Sequence, residues 1–129
     1  MNPPALARTF LARADNIGPA RREATAFART LGAVNPEGVA LAVSEALTNA
    51  VVHAYVDAAG PGHVELVAES IPDDGMRVMV CDEGRGMRPR PDSPGAGLGL
   101  PLVAAIAQRF DVQARSGGGT RLCMYFDTA

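Results

Sequence analysis

Two short segments, His63 to Glu69 and Met76 to Asp82, constrain the fold more than any other part of the chain. Val64, Leu66 and Ala68 alternate with polar neighbours in the first, and Met76, Val78 and Val80 share a face in the second. A period of two sends alternate side chains to one side of a sheet, so each segment is expected to be a strand with one buried face. Pro72-Asp73-Asp74-Gly75 between them has turn chemistry, which joins the pair as an antiparallel hairpin. The apolar face of such a sheet needs a cover, and helices elsewhere in the chain supply it.

Three helices are expected. Asp15 stands at the N-cap position of the first, from Pro19 to about Leu31, with Ala20, Ala24, Phe27 and Leu31 on one face. Arg21, Arg22, Glu23 and Arg29 lie off that face; the Arg pair is a candidate partner surface as much as a solvated one. A longer helix runs from Pro36 to about Val56, capped by Asn35 and stopped by Gly60-Pro61-Gly62, with Leu47, Ala50, Val51 and Ala54 as its apolar face. The third spans about Leu100 to Arg109. Residues 5–13 read as an opening strand with Leu6, Phe10 and Ala12 on one face; Val112–Arg115 and Thr120–Phe126 close the chain as strands joined by Gly117-Gly118-Gly119. The order βααββαββ points to an α+β sandwich of two layers. With 129 residues the chain is one domain, 1–129, and folding at this size buries about two-thirds of the unfolded surface.

Composition removes several function classes. All twelve basic residues are Arg, so there is no lysine for a Schiff base or a Walker-type phosphate loop. A net charge of −2 argues against nucleic acid as the main partner. No apolar run is long enough to span a bilayer, and MNPPALARTF carries no signal-peptide core, which makes the cytoplasm the expected location. Cys81 and Cys123 lie far apart without a CxxC or a nearby His, and read as small buried hydrophobes. His63 has no metal-ligand companion and is expected to be exposed.

Three motifs can carry chemistry. In SEALTNAVVHAY, residues 44–55, Glu45, Asn49 and His53 stand at i, i+4 and i+8, one stripe of an α-helix. A carboxylate, an amide and an imidazole there can serve as base, hard-cation ligand and phosphate contact, or can simply form a wet face. In DEGRGM, residues 82–87, Asp82 ends an apolar strand and is either an acceptor for a ligand or the cap of its own turn, while Gly84 and Gly86 permit close approach. Gly95-Ala96-Gly97-Leu98-Gly99-Leu100 opens a helix and can offer backbone N–H groups to an anion. A dinucleotide fingerprint is excluded there, because the preceding Arg88-to-Pro94 stretch is interrupted by prolines and cannot be a central strand. Gly117 to Thr120 taken alone reads as a hairpin turn.

Taken in order, E-x-x-x-N on a helix, D-x-G-x-G at a strand end, G-x-G-x-G-L before a helix and G-T before a last strand resemble the GHKL ATPase superfamily. SEALTNAVVHAY is similar to the anti-sigma-factor serine kinases within it, and the resemblance covers about Asp15 to Phe126. It implies the Bergerat fold, a mixed, mostly antiparallel sheet with helices on one face, and ATP with Mg2+ as cofactors. Under it Glu45 is the general base towards a substrate serine, Asn49 the magnesium ligand and Asp82 the acceptor of the adenine amine. Gly84 and Gly86 shape the adenine pocket beside Met87, Gly97, Gly99 and Leu100 form the phosphate-facing turn, Thr120 brings a hydroxyl near the adenine, and His53 contacts phosphate.

The resemblance also implies a sigma factor and a STAS-domain antagonist as partners, and a homodimer. Two functions follow: a serine kinase that sequesters a sigma factor and phosphorylates the antagonist, or a non-catalytic ATP-sensing anti-sigma module. Intact Glu45 and Asn49 favour the first. The segment between Gly86 and Gly95, only eight residues with three prolines, is a short ATP lid and favours the second. The detached catalytic domain of a sensor histidine kinase fits less well, because the chain has no dimerising hairpin with a phospho-acceptor His.

Overall fold

In the computed structural model, which describes residues 4–54, 62–84, 100–116 and 118–129, five strands form one sheet. They are β1 (Ala5–Leu11), β2 (His63–Ser70), β3 (Met76–Asp82), β4 (Arg109–Ala114) and β5 (Thr120–Phe126), paired in the order β1-β2-β3-β5-β4. All four pairings are antiparallel. The mostly antiparallel sheet implied by the sequence is thus antiparallel throughout its described part.

The register explains the layers. Val64 lies opposite Asp82 and Leu66 opposite Val80 between β2 and β3; Val80 lies opposite Leu122 and Val78 opposite Met124 between β3 and β5. Because side chains alternate, Val64, Leu66, Ala68, Met76, Val78, Val80, Leu122, Met124 and Phe126 all reach one face, and all are buried. Full burial of one such aliphatic side chain contributes about 1.5–3 kcal/mol, so this face is the main source of stability.

The cover consists of α1 (Ile17–Thr30), α2 (Pro36–Asn49) and α3 (Leu100–Ile106), whose buried residues join the strands in one core. Helix α1 buries Ala20, Ala24 and Ala28, small residues that let it lie close against α2. Helix α2 is the central one, burying Val39, Ala42, Val43, Ala46 and Leu47. Arg8 on β1 reaches Glu23 on α1 at 3.0 Å, an exposed pair between the layers. Cys81 and Cys123 are free and buried, as expected, and His63 is exposed. No helix among the described residues is long and apolar enough to cross a membrane.

Three boundaries differ from the sequence expectation. Asp15 is not the cap of α1; it lies in a short 3₁₀ turn, Ala14–Asn16, and pairs with Arg13 at 3.4 Å. Asn16 occupies the cap position, but its amide donates to the Leu11 carbonyl at 2.8 Å and so ties the helix start to the end of β1. The long helix is α-helical only to Asn49 and continues as a π turn, Ala50–Ala54, where the β-branched pair Val51-Val52 weakens α propensity. The third helix stops at Ile106, and Arg109 already belongs to β4. Its guanidinium stacks 4.1 Å from the Tyr125 ring centre and pairs with Asp74 at 3.1 Å, contacts that hold the segment in the sheet.

Candidate functional site

Helix α2 places the first two site residues. Pro36 occupies its first turn, and the Asn35 side chain accepts from the Gly38 N–H at 3.0 Å, fixing where the helix begins. Thirteen positions on, Asn49 ends the α-helical part on the face that carries Val39, Ala42, Val43 and Ala46 into the core. It is only 3% exposed, so the wet-face reading of the stripe fails at this residue. Its Nδ2 is buried without a hydrogen-bond partner among the described residues. Glu45, one turn earlier, is half-buried. His53 follows within the π turn, which packs against β3; the side chain of His53 lies outside the described residues. The π turn interrupts regular α-helical spacing after Asn49.

Strand β3 delivers Asp82, fully buried at its last position. Its Oδ1 accepts from the Gly84 N–H at 3.1 Å, which is the turn-capping role that the sequence allowed. That leaves Oδ2, buried and without a partner among the described residues. Burial pushes the carboxyl above the ordinary carboxylate range, while the backbone N–H groups of Gly84 and Thr120 and the charge of Arg115 draw it back down. The turn-capping reading therefore holds for one oxygen, and the other is buried with no partner among the described residues.

Thr120, 5% exposed, stands directly opposite Asp82 in the β3–β5 pairing. Asp82, Gly84 and Thr120 are thus brought together, with α2 and its π turn packed against the same strand. Gly86, Met87, Gly97 and Gly99 lie outside the described residues. Leu100 is the first residue of α3, and its side chain is likewise outside them.

Two further residues lie against this site: Arg115, which no motif included, and Gly119, which entered only as the glycine of the G-T pair. Arg115 donates from Nη1 to the Asp82 carbonyl at 3.1 Å. Gly119 has φ +94°, and a Cβ on it would sit 2.0 Å from that same oxygen. The glycine run before Thr120 was the available signal, although it reads locally as a turn.

A buried acceptor and a buried donor without partners are costly in isolation, and such groups in a native structure mark either strain or a missing ligand. The Asp82 acceptor suits an amine that presents N–H, and an amide such as Asn49 can give a donor to a phosphate oxygen and an acceptor to a hard cation. The model of the histidine kinase-like ATPase domain matches residues 10–126.

The chain belongs to that family.

Relatives of this ATPase-like chain include the anti-sigma F factor of Clostridium acetobutylicum, 33% identical over 128 aligned positions, covering 89% of this chain and 87% of the relative. The anti-sigma F factor of Caldanaerobacter subterraneus is 30% identical with the same coverage, and that of Clostridium novyi 31% with 89% and 88%. Among solved structures, the RsbU and RsbW domains of a Mycobacterium tuberculosis protein superpose with a TM-score of 0.74 over 97% of this chain at 22% identity. This histidine kinase-like domain spans about a third of that longer chain (32%), and the likeness concerns the fold.

Proposed function

We propose that this histidine kinase-like ATPase domain is an ATP-binding anti-sigma factor and a protein serine kinase, acting on a STAS-domain antagonist in a partner-switching system. The observation that carries the nucleotide part is the buried, unpartnered Oδ2 of Asp82 beside a carboxylate oxygen already held by Gly84. That arrangement suits one directed N–H, as the adenine amine supplies. Asn49 would hold Mg2+ through its amide oxygen, and the cation would offset phosphate charge in a chain with no lysine. Glu45, half-buried one helical turn away, would take the proton from a serine hydroxyl as that oxygen bonds to the γ-phosphorus and the bond to the β,γ-bridging oxygen breaks, ADP leaving with the electron pair. The names of the relatives support a sigma factor as partner.

The short segment from Met87 to Pro94 favours a second reading, an ATP-sensing anti-sigma module without transfer. Incubating the protein with γ-labelled ATP and a panel of STAS-domain proteins separates the two. A kinase gives phosphoserine on one of them, and Glu45→Ala abolishes the label while retaining ATP affinity. Full transfer by Glu45→Ala contradicts the assigned base, and no transfer despite tight ATP binding selects the sensing module.

A further inference from the structure

Strand β3 ends at Asp82, and the chain leaves the sheet at Glu83-Gly84, so the carboxylate sits where a strand usually begins to fray. The turn between β4 and β5 prevents this. Arg115 accepts from the Gly118 N–H at 3.1 Å and donates its own N–H to the Gly119 carbonyl at 3.0 Å, which closes the turn. Its guanidinium crosses to the Asp82 carbonyl at 3.1 Å, while the backbone of Gly119 abuts the same oxygen. One residue thus shapes the turn and fastens it to the end of β3. Among the described residues, the charge that acts on the Asp82 carboxylate is that of Arg115; the neighbours of Asp82 across the sheet are Val64 and Thr120.

We propose that Arg115 is a positioning residue that sets the direction of the Asp82 carboxylate, and so determines how strongly the site prefers adenine to a base lacking the exocyclic amine. The inference rests on the nucleotide reading of Asp82. A hydrogen bond to a buried acceptor is sharply directional, and a site built around an N–H rejects an analogue without it. Arg115 touches neither base nor phosphate in this account. It acts through the backbone of Asp82.

The test is calorimetric binding of ADP and inosine diphosphate, whose six-position carries an oxygen, to the whole chain and to Arg115→Met, Arg115→Lys and Asp82→Asn. The native chain is expected to prefer ADP clearly. Arg115→Met should weaken ADP about tenfold and leave inosine diphosphate unchanged, narrowing the preference. Arg115→Lys, which keeps a charged donor, should recover part of it. If the methionine variant does not fold, Arg115→Gln supplies the same comparison. A preference unchanged in Arg115→Met, with Asp82→Asn still destroying it, overturns the role of Arg115. Equal loss of both nucleotides also overturns it, since that is the signature of a merely structural residue. Failure of the native chain to bind either nucleotide overturns the nucleotide reading itself.

Discussion

Gly119 lies so close to Asp82 that a Cβ added to it would sit 2.0 Å from the Asp82 carbonyl oxygen and 2.7 Å from the Glu83 Cα. Both neighbouring atoms are backbone, so neither can swing aside, and the φ of +94° already disfavours any side chain. The same carbonyl receives the Arg115 guanidinium. The end of β3 and the turn before β5 are therefore fastened together, and the backbone that carries the buried carboxylate is held by groups more than thirty positions away in sequence.

Gly119→Ala should separate the turn from β3. Gly118 provides the control: its φ of +111° is also positive, but a Cβ there meets nothing within 4 Å. Gly118→Ala is expected to cost about 1–3 kcal/mol of stability through backbone strain alone. Gly119→Ala should cost more and should also weaken nucleotide binding. Thermal unfolding and calorimetry on the two variants check this, and equal effects would contradict the clamp.

Asp82→Asn should weaken adenine nucleotides while stabilising the empty protein. Loss of the charged acceptor lowers affinity roughly 10- to 100-fold, the range for a hydrogen bond to a charged group. The stability effect follows from the raised carboxyl. A group whose folded pKa lies above its unfolded value contributes its full stability below the unfolded value, about pH 4, and loses it as pH rises through the folded one. Above the unfolded value the raised carboxyl costs the native protein stability, a cost that Asp82→Asn does not carry. The variant should melt higher at pH 7, and the gap should close below about pH 4. For the same reason, ATP affinity of the native chain should fall on acidification before ordinary carboxylates titrate.

Asn35→Ala removes the side chain that accepts from Gly38 at the start of α2. A lost cap costs about 1 kcal/mol. Because the opposite end of α2 carries Asn49, the expected outcome is a lower melting temperature with nearly unchanged ATP affinity. Titration of the variant beside a melting curve distinguishes this from a cap that also shapes the site.

Leu47→Ala empties a fully buried position on α2, between Glu45 and Asn49 in sequence. Truncation of a buried leucine costs about 2–5 kcal/mol, depending on how far the surroundings collapse. Denaturant unfolding should show this loss, whereas Leu41→Ala, at a position 46% exposed, should change stability little.

The hairpin of β2 and β3 was legible because period-two alternation has few other solutions, and the Asn35-Pro36 start of α2 because cap and proline agree. Asp82 and Asn49 were legible as a linear pattern. What the pattern could not give was the state of each atom: one Asp82 oxygen capped by Gly84, the other buried with no partner among the described residues. The start of β4 was missed because LVAAIAQRF continues a helical apolar pattern through Arg109. Asp74 and Tyr125, which draw that residue into the sheet, lie 35 and 16 positions away. Arg115 was invisible for a related reason, since its partner at Asp82 is 33 positions distant. Asp15 lost the cap to Asn16 because the latter also reaches the Leu11 carbonyl, a contact that no local rule supplies.

Asn49 and Asp82, each with a buried group that has no partner among the described residues, are proposed to belong to one magnesium–adenine nucleotide site. Calorimetric titration of the purified chain with ATP, with and without Mg2+, beside Asn49→Ala, tests it most directly. The account predicts saturable binding at one site per chain, tightened by Mg2+ in the native protein and insensitive to Mg2+ in the variant. Absence of saturable ATP binding by the native chain would contradict it.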